Sequence, residues 1–467
     1  MKKKILMLTL CLLTNLAFTQ KTNDLQLFAE FDKLLSEQYK TNETGATALV
    51  SRNGEVIYKK AFGMANLEFN IPMQVDNVFR IGSISKQFTA VAILQLMEQG
   101  KLNLQDDITK FIPDYPTHGY KITIEHLLTH TSGIQDYPSM KDYEDRITLD
   151  LKPTEMINHF KNQPMEFAPG TKWKYNNSGY FLLGYIIEKV SGKTYPQYVE
   201  EIFFKPLGMN NSLYGSDSRI IKNRAAGYDK DFTGIINAPF LSMTQPYAAG
   251  SLQSTIDDLF KWHQAVHSYK LIKKETLDKA FTKYKLADGK ETIYGYGWIL
   301  GNVQENPTIE HSGSINGFLT QSIYLPKEGL FVAVFSNCNC NSPGVIGAKM
   351  AALALGKPYE YKELPVENTI LQDYVGVYEN NYGEQLFITL AENQLYSQLG
   401  IRKVNKLKAF QGDNFFFENL LTIITFSRNK KGEIQKLTIK GRQGIENWNK
   451  INKPTSTEAK KISIQIK

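Results

Sequence analysis

Apolar residues recur at helical spacing where the pattern first becomes regular. Leu25, Leu27, Phe28, Phe31, Leu34 and Leu35 line one side of the segment from Asp24 to Lys40, which predicts a helix. The next stretch, ATALVSRNGEVIYKKAFG, shifts to a period of two. Apolar and polar residues alternate around Asn53-Gly54, the signature of a β-hairpin. Residues 79–270 read mainly as helices and loops, punctuated by Pro and Gly. Strand character returns in YGYGWILG (Tyr294–Gly301) and continues through GFLTQSIYLPKEGLFVAVFSN, with a second turn at Pro326-Lys327-Glu328-Gly329. Strands at both ends of a unit with helices between them predict an α/β domain whose antiparallel sheet is closed by its own termini.

Past Gly356 the pattern changes again. GKPYEYKELPVENT is charged and carries two prolines, and residues 357–370 read as a linker. From 371 to 452 come short strand-like runs separated by turn residues: YVGVYE, EQLFITL, QLYSQL, NFFFEN, LLTIITFSR and IQKLTIKG. They predict a small antiparallel all-β barrel or sandwich. Residues 453–467 form a polar tail, read as flexible.

The first twenty residues stand apart. Lys2, Lys3 and Lys4 precede an apolar run from Ile5 to Phe18 that is short for a membrane span, and small residues at Ala17 and Thr19 suit a peptidase. Residues 1–20 are read as a secretory signal peptide, which places residues 21–356 in a secreted or periplasmic domain with no stable membrane span after cleavage. The alternative is an uncleaved N-terminal anchor that leaves the protein on the membrane.

Composition then narrows the classes. At 467 residues, with 42% hydrophobic and 22% charged side chains, the chain is an ordinary globular one with room for more than one domain. Removing residues 1–20 takes three lysines and no acid, leaving 51 basic against 47 acidic side chains, a net charge of +4. With no basic block interleaved with aromatics, a nucleic-acid partner is not indicated. The remaining cysteines, Cys338 and Cys340, lie two apart near a strand end. On extended backbone that spacing suits a mutual disulfide poorly, and both are read as structural thiols.

Candidate chemistry sits in three patches. Ser83 and Lys86 share one face if a helix begins near Ser83, so hydroxyl and amine meet, and the apolar run from Phe88 to Met97 supplies burial that lowers the amine's pKa. Alone the motif says little: Ser427-Arg428-Asn429-Lys430 repeats it in a polar turn, and an N-cap serine beside a solvated lysine is the plainer reading of either. Tyr175 and Asn177 offer a phenol and an amide two residues apart on a loop, or simply an aromatic beside a turn. Glu310–Phe318, EHSGSINGF, lies between a strand ending near Ile309 and one starting at Phe318. Its glycines suit either a turn or a strand edge where a carbonyl can approach backbone N–H groups. The His-x-x-x-His pairs, His126/His130 and His263/His267, have Leu127 and Gln264 where a zinc hydrolase needs Glu, so no metal is assigned. Neither a G-x-S-x-G elbow nor a nucleotide-binding glycine loop is present, and no cofactor is implied.

Taken together and in this order, Ser83-x-x-Lys86, Tyr175-x-Asn177 and His311-Ser312-Gly313 resemble the serine β-lactamase and penicillin-binding protein superfamily, in its class C-like branch. The connecting text TIEHLLTHTSGI, FAPGTKWKYNNSGYFLLGYIIEKVSG, FFKPLGMNNS and AAGSLQSTIDDLFKW extends the likeness over roughly residues 25–355. YVGVYE is similar to the opening of lipocalin-like barrels appended to such hydrolases. The resemblance implies a β-lactamase-like fold with a helical subdomain. It implies Ser83 as an acylated nucleophile, Lys86 and Tyr175 as the proton-transfer pair with the principal base left open, and Asn177 on the substrate amide. His311, Ser312 and Gly313 would line the substrate at a strand edge, and the backbone N–H groups of Ser83 and Ser314 would form the oxyanion hole. The implied substrate is a small molecule or peptide, such as a peptidoglycan-type D-amino-acid peptide. Because His311 replaces the Lys of a Lys-Thr-Gly motif, carboxypeptidase, D-amino-acid peptidase or esterase activity is expected ahead of a β-lactamase. A non-catalytic penicillin- or wall-binding receptor in the same fold is the remaining alternative.

Overall fold

Seven consecutive buried residues, Leu330–Ser336, form the central strand of the first unit, and a run that apolar is buried on both faces. The computed structural model describes residues 24–380, 383–400, 404–417 and 421–451. The expected signal peptide, 1–20, and the tail, 453–467, lie outside the described residues. The chain divides into two compact units, one running to 300 and over 305–356, the other made of the segment from 357 onward with the short stretch 301–304.

In the first unit a helix, α1 (24–38), leads into β1 (Ala46–Arg52) and β2 (Glu55–Phe62), the Asn53-Gly54 hairpin. Four more strands come from the other end of the unit: β3 (Ile299–Val303), β4 (Asn306–Ile315), β5 (Phe318–Leu325) and β6 (Leu330–Ser336). The spatial order is β3-β4-β5-β6-β1-β2, so the sheet closes where β1 pairs with β6, antiparallel, Ala46 opposite Ser336 and Arg52 opposite Leu330. Helices cover both faces. A helix α2 (Ser85–Glu98) and a helix α3 (Asn177–Ser191) belong to the large core, and α4 (Ile256–His267) packs Phe260 and His263 on Phe331. On the opposite face α5 (Pro343–Ala354) lies over Ile323 and Val334.

Two expectations shift. Tyr294–Trp298 is irregular rather than strand, and β3 begins only at Ile299. Gly297 takes a left-handed φ of 89° because its backbone is pressed onto α2, where a Cβ would sit 2.9 Å from the Ala90 methyl. The His-Ser-Gly motif does not follow a strand but lies within one, since β4 runs unbroken to Ile315 with His311, Gly313 and Ile315 facing inward.

Cys338 and Cys340 are joined in a disulfide, contrary to the reading of two unpaired thiols. The reason is that β6 ends at Ser336. Cys338 makes only an isolated bridge to Tyr228, and Asn339 and Cys340 already turn, so the Cα atoms approach to 5.1 Å off extended backbone. Beside them the fully buried Asn337 ties the unit together. Its Oδ1 accepts from the Gly45 N–H at 2.7 Å, and its Nδ2 donates to Met64 O at 3.1 Å and Ala226 O at 2.9 Å.

The second unit opens with α6 (Asn368–Tyr374), which straddles the expected linker and barrel segments and places Leu371 and Tyr374 in the second core. Eight strands then close into a barrel: β7 (Gly376–Asn380), β8 (Gln385–Ala391), β9 (Gln394–Leu399), β10 (Asn405–Gln411), β11 (Asn414–Phe417), β12 (Ile423–Arg428), β13 (Ile434–Gly441) and β14 (Gly444–Ile451). Closure comes from pairing β7 with β14. Strands β10 and β14 have no counterpart among the six predicted runs. Only Leu407 and Ala409 in the one, and Trp448 in the other, are buried apolar residues. Among the described residues no helix is long and apolar enough to cross a membrane.

Asn337→Ala leaves the Gly45 N–H and at least two carbonyls without their partner inside the protein. It is expected to cost about 2 to 4 kcal/mol in urea-induced unfolding. A variant within 0.5 kcal/mol of wild type would mean that this side chain does not hold the sheet to its flanking loops.

Candidate active site

Gly313 shows how the site is assembled. A Cβ there would lie 2.0 Å from Ile81 O and 2.3 Å from Thr320 Oγ1, so β4 runs in backbone contact with the segment that carries the candidate nucleophile. That segment is a single 3₁₀ turn, Gly82–Ile84, which feeds directly into α2. It is pinned on the other side by Ile81 N–H to Leu252 O at 3.0 Å. Ser83 thus sits, half-buried, at the positive end of a fourteen-residue helix.

Helix α2 is buried nearly all round, and the Lys86 side chain has no solvent access. Burial lowers its pKa from 10.5 to about 7, opposed by the negative charge of Asp136. Three oxygens surround the amine: Ser83 Oγ at 3.0 Å, Asn177 Oδ1 at 2.9 Å and Ala249 O at 2.8 Å. As an ammonium, Lys86 uses its three N–H bonds on these three acceptors. As a neutral amine it keeps two N–H bonds and one lone pair. Two of its partners are carbonyl oxygens that can only accept, so the lone pair is directed at Ser83, the one neighbour that has a proton to give.

The asparagines before α3 divide two tasks. Asn176 is the N-cap, its Oδ1 accepting from the Gly179 N–H at 2.7 Å, and its own N–H is held by His130 Nδ1 at 3.1 Å. Asn177, the first helical residue, is left to face Lys86. Its N–H and Nδ2 donate to the two carboxylate oxygens of Asp136, at 2.6 and 3.3 Å. Tyr175 precedes them with its ring 4.8 Å from Lys86 Nζ. Burial pushes the phenol pKa well up, and the Ser83 hydroxyl is near enough to offset part of this. No hydrogen bond of normal geometry joins the two, and among the described residues the Tyr175 hydroxyl has no partner.

His311 is buried on β4, 1% exposed, with its ring 6.3 Å from that of Tyr175. Its Nδ1 lies 2.7 Å from Ser312 O, a carbonyl, so Nδ1 bears the proton. Nε2 therefore accepts from the Tyr294 hydroxyl at 2.7 Å. Burial and the Lys86 charge lower its pKa to about 3, and the ring is neutral at pH 7. With both nitrogens engaged, His311 presents no free donor to a substrate carboxylate. The side chains of Ser312 and Ser314 are exposed, and the Ser314 peptide abuts Gly82, its nitrogen 2.9 Å from where a Gly82 Cβ would be.

Ser83, Lys86 and Asn177 are therefore in one hydrogen-bonded group, with Tyr175 stacked beside it and the His311–Ser314 edge alongside. Sequence reasoning missed three side chains. Asp136, in QDYP just beyond Gly133, belongs to none of the three motifs. Tyr294 belongs to aromatics that read as packing. His130 reads in the sequence only as half of a metal pair; the short helix Ile124–Leu128 ends before it and it takes a φ of 60°, so it shares no helical face with His126. Its ring instead packs 4.3 Å from Tyr175 and 4.4 Å from Tyr294. His263 and His267 are stacked on Phe331 and Phe281 in the core beside α4.

The comparisons with known proteins agree with this architecture. A family model described as Beta-lactamase matches residues 26–356, and one described as Domain of unknown function (DUF3471) matches residues 362–452. Penicillin-binding protein 4* of Bacillus subtilis is 28% identical over 425 residues, covering 84% of this chain and 91% of that protein. The octameric penicillin-binding protein homologue from Pyrococcus abyssi superposes with a TM-score of 0.65 at 29% identity, over 90% of this chain and 99% of that one. The fold is also shared with the D-amino acid amidase from Ochrobactrum anthropi SV3, with a TM-score of 0.63 at 22% identity over 71% of this chain and 99% of that chain. A match over most of the described chain, carrying the serine, the buried lysine and the third-motif strand in one site, places the protein in the β-lactamase family, among the relatives of the penicillin-binding proteins.

Proposed function

We propose that the protein is an exported serine hydrolase that works through a Ser83 acyl-enzyme and cleaves amide or ester bonds of small D-amino-acid amides and peptides. The observation that carries this reading is the fully buried Lys86 amine. Its pKa lies near 7, and its lone pair has only the Ser83 hydroxyl to turn to. In the first step Ser83 Oγ bonds to the substrate carbonyl carbon while its proton passes to Lys86, the general base. The oxyanion is met by the Ser83 and Ser314 N–H groups, each worth about 3 kcal/mol in a transition state. Tyr175, held protonated by burial, hands a proton to the leaving nitrogen or oxygen as that bond breaks and regains one from Lys86. Water then repeats the sequence on the acyl carbon and restores Ser83.

The neutral, fully engaged His311 supports a substrate that does not depend on a carboxylate grip, which ranks peptidase, amidase or esterase chemistry above β-lactam hydrolysis. The relationship to a penicillin-binding protein supports a D-amino-acid substrate of wall type. Export rests on the residue 1–20 pattern and is supported by the Cys338–Cys340 disulfide, which suits an oxidising compartment.

A fluorophosphonate probe is expected to label Ser83, located by peptide mass, and Ser83→Ala to lower amide or ester turnover by about a thousandfold or more. D-alanyl p-nitroanilide should be cleaved faster than its L isomer and faster than nitrocefin. Equal labelling of wild type and Ser83→Ala sinks the acyl-enzyme, and an L preference sinks the substrate class.

The base assignment has a thermodynamic signature. In the unfolded chain Lys86 keeps a value near 10.5, so between about pH 7 and 10 the unfolded state holds the extra proton and wild-type stability rises with pH. Lys86→Met lacks this contribution. The melting temperature of Lys86→Met minus that of wild type is therefore expected to be larger at pH 6 than at pH 9, and a pH-independent difference would mean that Lys86 is not held with a lowered pKa.

A further inference from the structure

Asn177 can turn its amide either way, and the direction matters because one end faces Lys86. With Oδ1 toward the amine the contact is a hydrogen bond; reversed, an NH₂ group would face an ammonium. The amide is fixed by what lies behind it. Asp136 accepts from Asn177 Nδ2 at 3.3 Å and from the Asn177 N–H at 2.6 Å, so an acceptor-only group claims the NH₂ end and leaves the oxygen for Lys86. Reversal would set the amide oxygen against the carboxylate and the NH₂ group against the ammonium, two repulsions in place of two hydrogen bonds.

The same carboxylate is placed electrostatically. Tyr175 and Tyr180 present their ring faces to Lys86 at 4.8 and 5.6 Å, and both phenols stay protonated because burial raises them. His130 and His311, the imidazoles whose charge Lys86 opposes, stay neutral for the same reason. Ser83 and the Ala249 carbonyl carry no charge. Asp136 is the anion that acts on Lys86. Burial raises its own pKa, opposed by the Asn177 and Ser178 N–H groups at the start of α3 and by the Lys86 charge.

We infer that Asp136 is a positioning residue: it turns the Asn177 oxygen onto Lys86 and supplies the negative charge that the Lys86 ammonium meets after taking the Ser83 proton. This rests on the acyl-enzyme reading above. Asp136 touches neither substrate nor Ser83, and acts only through Asn177 and through its field at Lys86.

The test is the rate of fluorophosphonate labelling from pH 5 to pH 9 for the full chain and for Asp136→Asn, Asp136→Ser and Asp136→Glu. The wild-type rate should rise to a plateau with a midpoint near 7, where Lys86 loses its proton. Asp136→Asn removes the charge and keeps the shape. Its midpoint should move to lower pH by about half a unit or more, and its plateau should fall about tenfold, because the amine is easier to deprotonate but a weaker, less well-aimed base. Asp136→Glu, which retains the anion, should keep the wild-type midpoint. If Asp136→Asn is unfolded by circular dichroism, Asp136→Ser gives the same reading with a smaller side chain.

A charge-removing variant that lowers the plateau but leaves the midpoint unmoved overturns the inference, as does one with a wild-type profile. Unfolding of both charge-removing variants overturns it too, since Asp136 would then be a determinant of the fold. A wild type that the probe does not label removes the acyl-enzyme reading and this inference with it. A labelled wild type beside unmoved variants removes only the inference.

Discussion

The site depends on keeping one amine out of water. Burying an ammonium without partners is costly enough that a lysine gives up its proton instead, and at Lys86 burial and Asp136 balance near neutrality. Everything nearby follows from that. The helix that carries Lys86 is buried nearly all round, and a solvated face would let water reach the amine. The three oxygens that receive it come from three separate segments, the turn before α2, the start of α3 and the turn at Ala249, so the lysine is also where those segments are fastened together.

Those segments are held to tolerances that a lone hydrogen bond could not set. The β4 strand approaches the Gly82–Ile84 turn closely enough that position 313 admits no side chain beyond hydrogen. Just past the end of β6, Asn337 fastens Gly45, which leads into β1, to the backbone at Ala226, beside the Cys338–Cys340 link. The sheet is thus a rigid base, and the Gly82–Ile84 turn is held between β4 and the Leu252 backbone. Rigid placement is what the proposed proton transfer over 3.0 Å requires.

How much of this was legible follows from how local each feature is. Ser83 and Lys86 are one helical turn apart, and the apolar run after them already implies a buried amine. The hairpin at Asn53-Gly54 and the buried run at Leu330–Ser336 are written in their periods, and the closed α/β sheet follows from them. Asp136 was not legible, because its function lies in two hydrogen bonds to a residue 41 positions away. Tyr294 is the same case: its apolar body packs as expected, while its hydroxyl donates to His311 Nε2. The disulfide was missed because strand geometry was carried two residues too far, past the actual end of β6. In the barrel, β10 and β14 escaped because a strand that turns one or two apolar side chains inward and polar ones outward has too little contrast to announce itself.

The replacement at the third motif also reads differently once Lys86 is understood. A lysine at position 311 would put a second cation within the field of the first. The two interact already: the Lys86 charge helps to hold His311 unprotonated. A permanent cation there would press back on Lys86 and lower its pKa below the range where it is a useful base at neutral pH, unless further negative charge were brought in. A neutral imidazole, tied at one nitrogen to Tyr294 and at the other to Ser312 O, adds no second cation beside the amine, whose pKa near 7 Asp136 helps to hold up. Under the proposed function the histidine gives up a grip on anionic substrates. What it preserves is the poise of the amine, so under the proposed function one electrostatic choice would set both the substrate range and the proton-transfer chemistry.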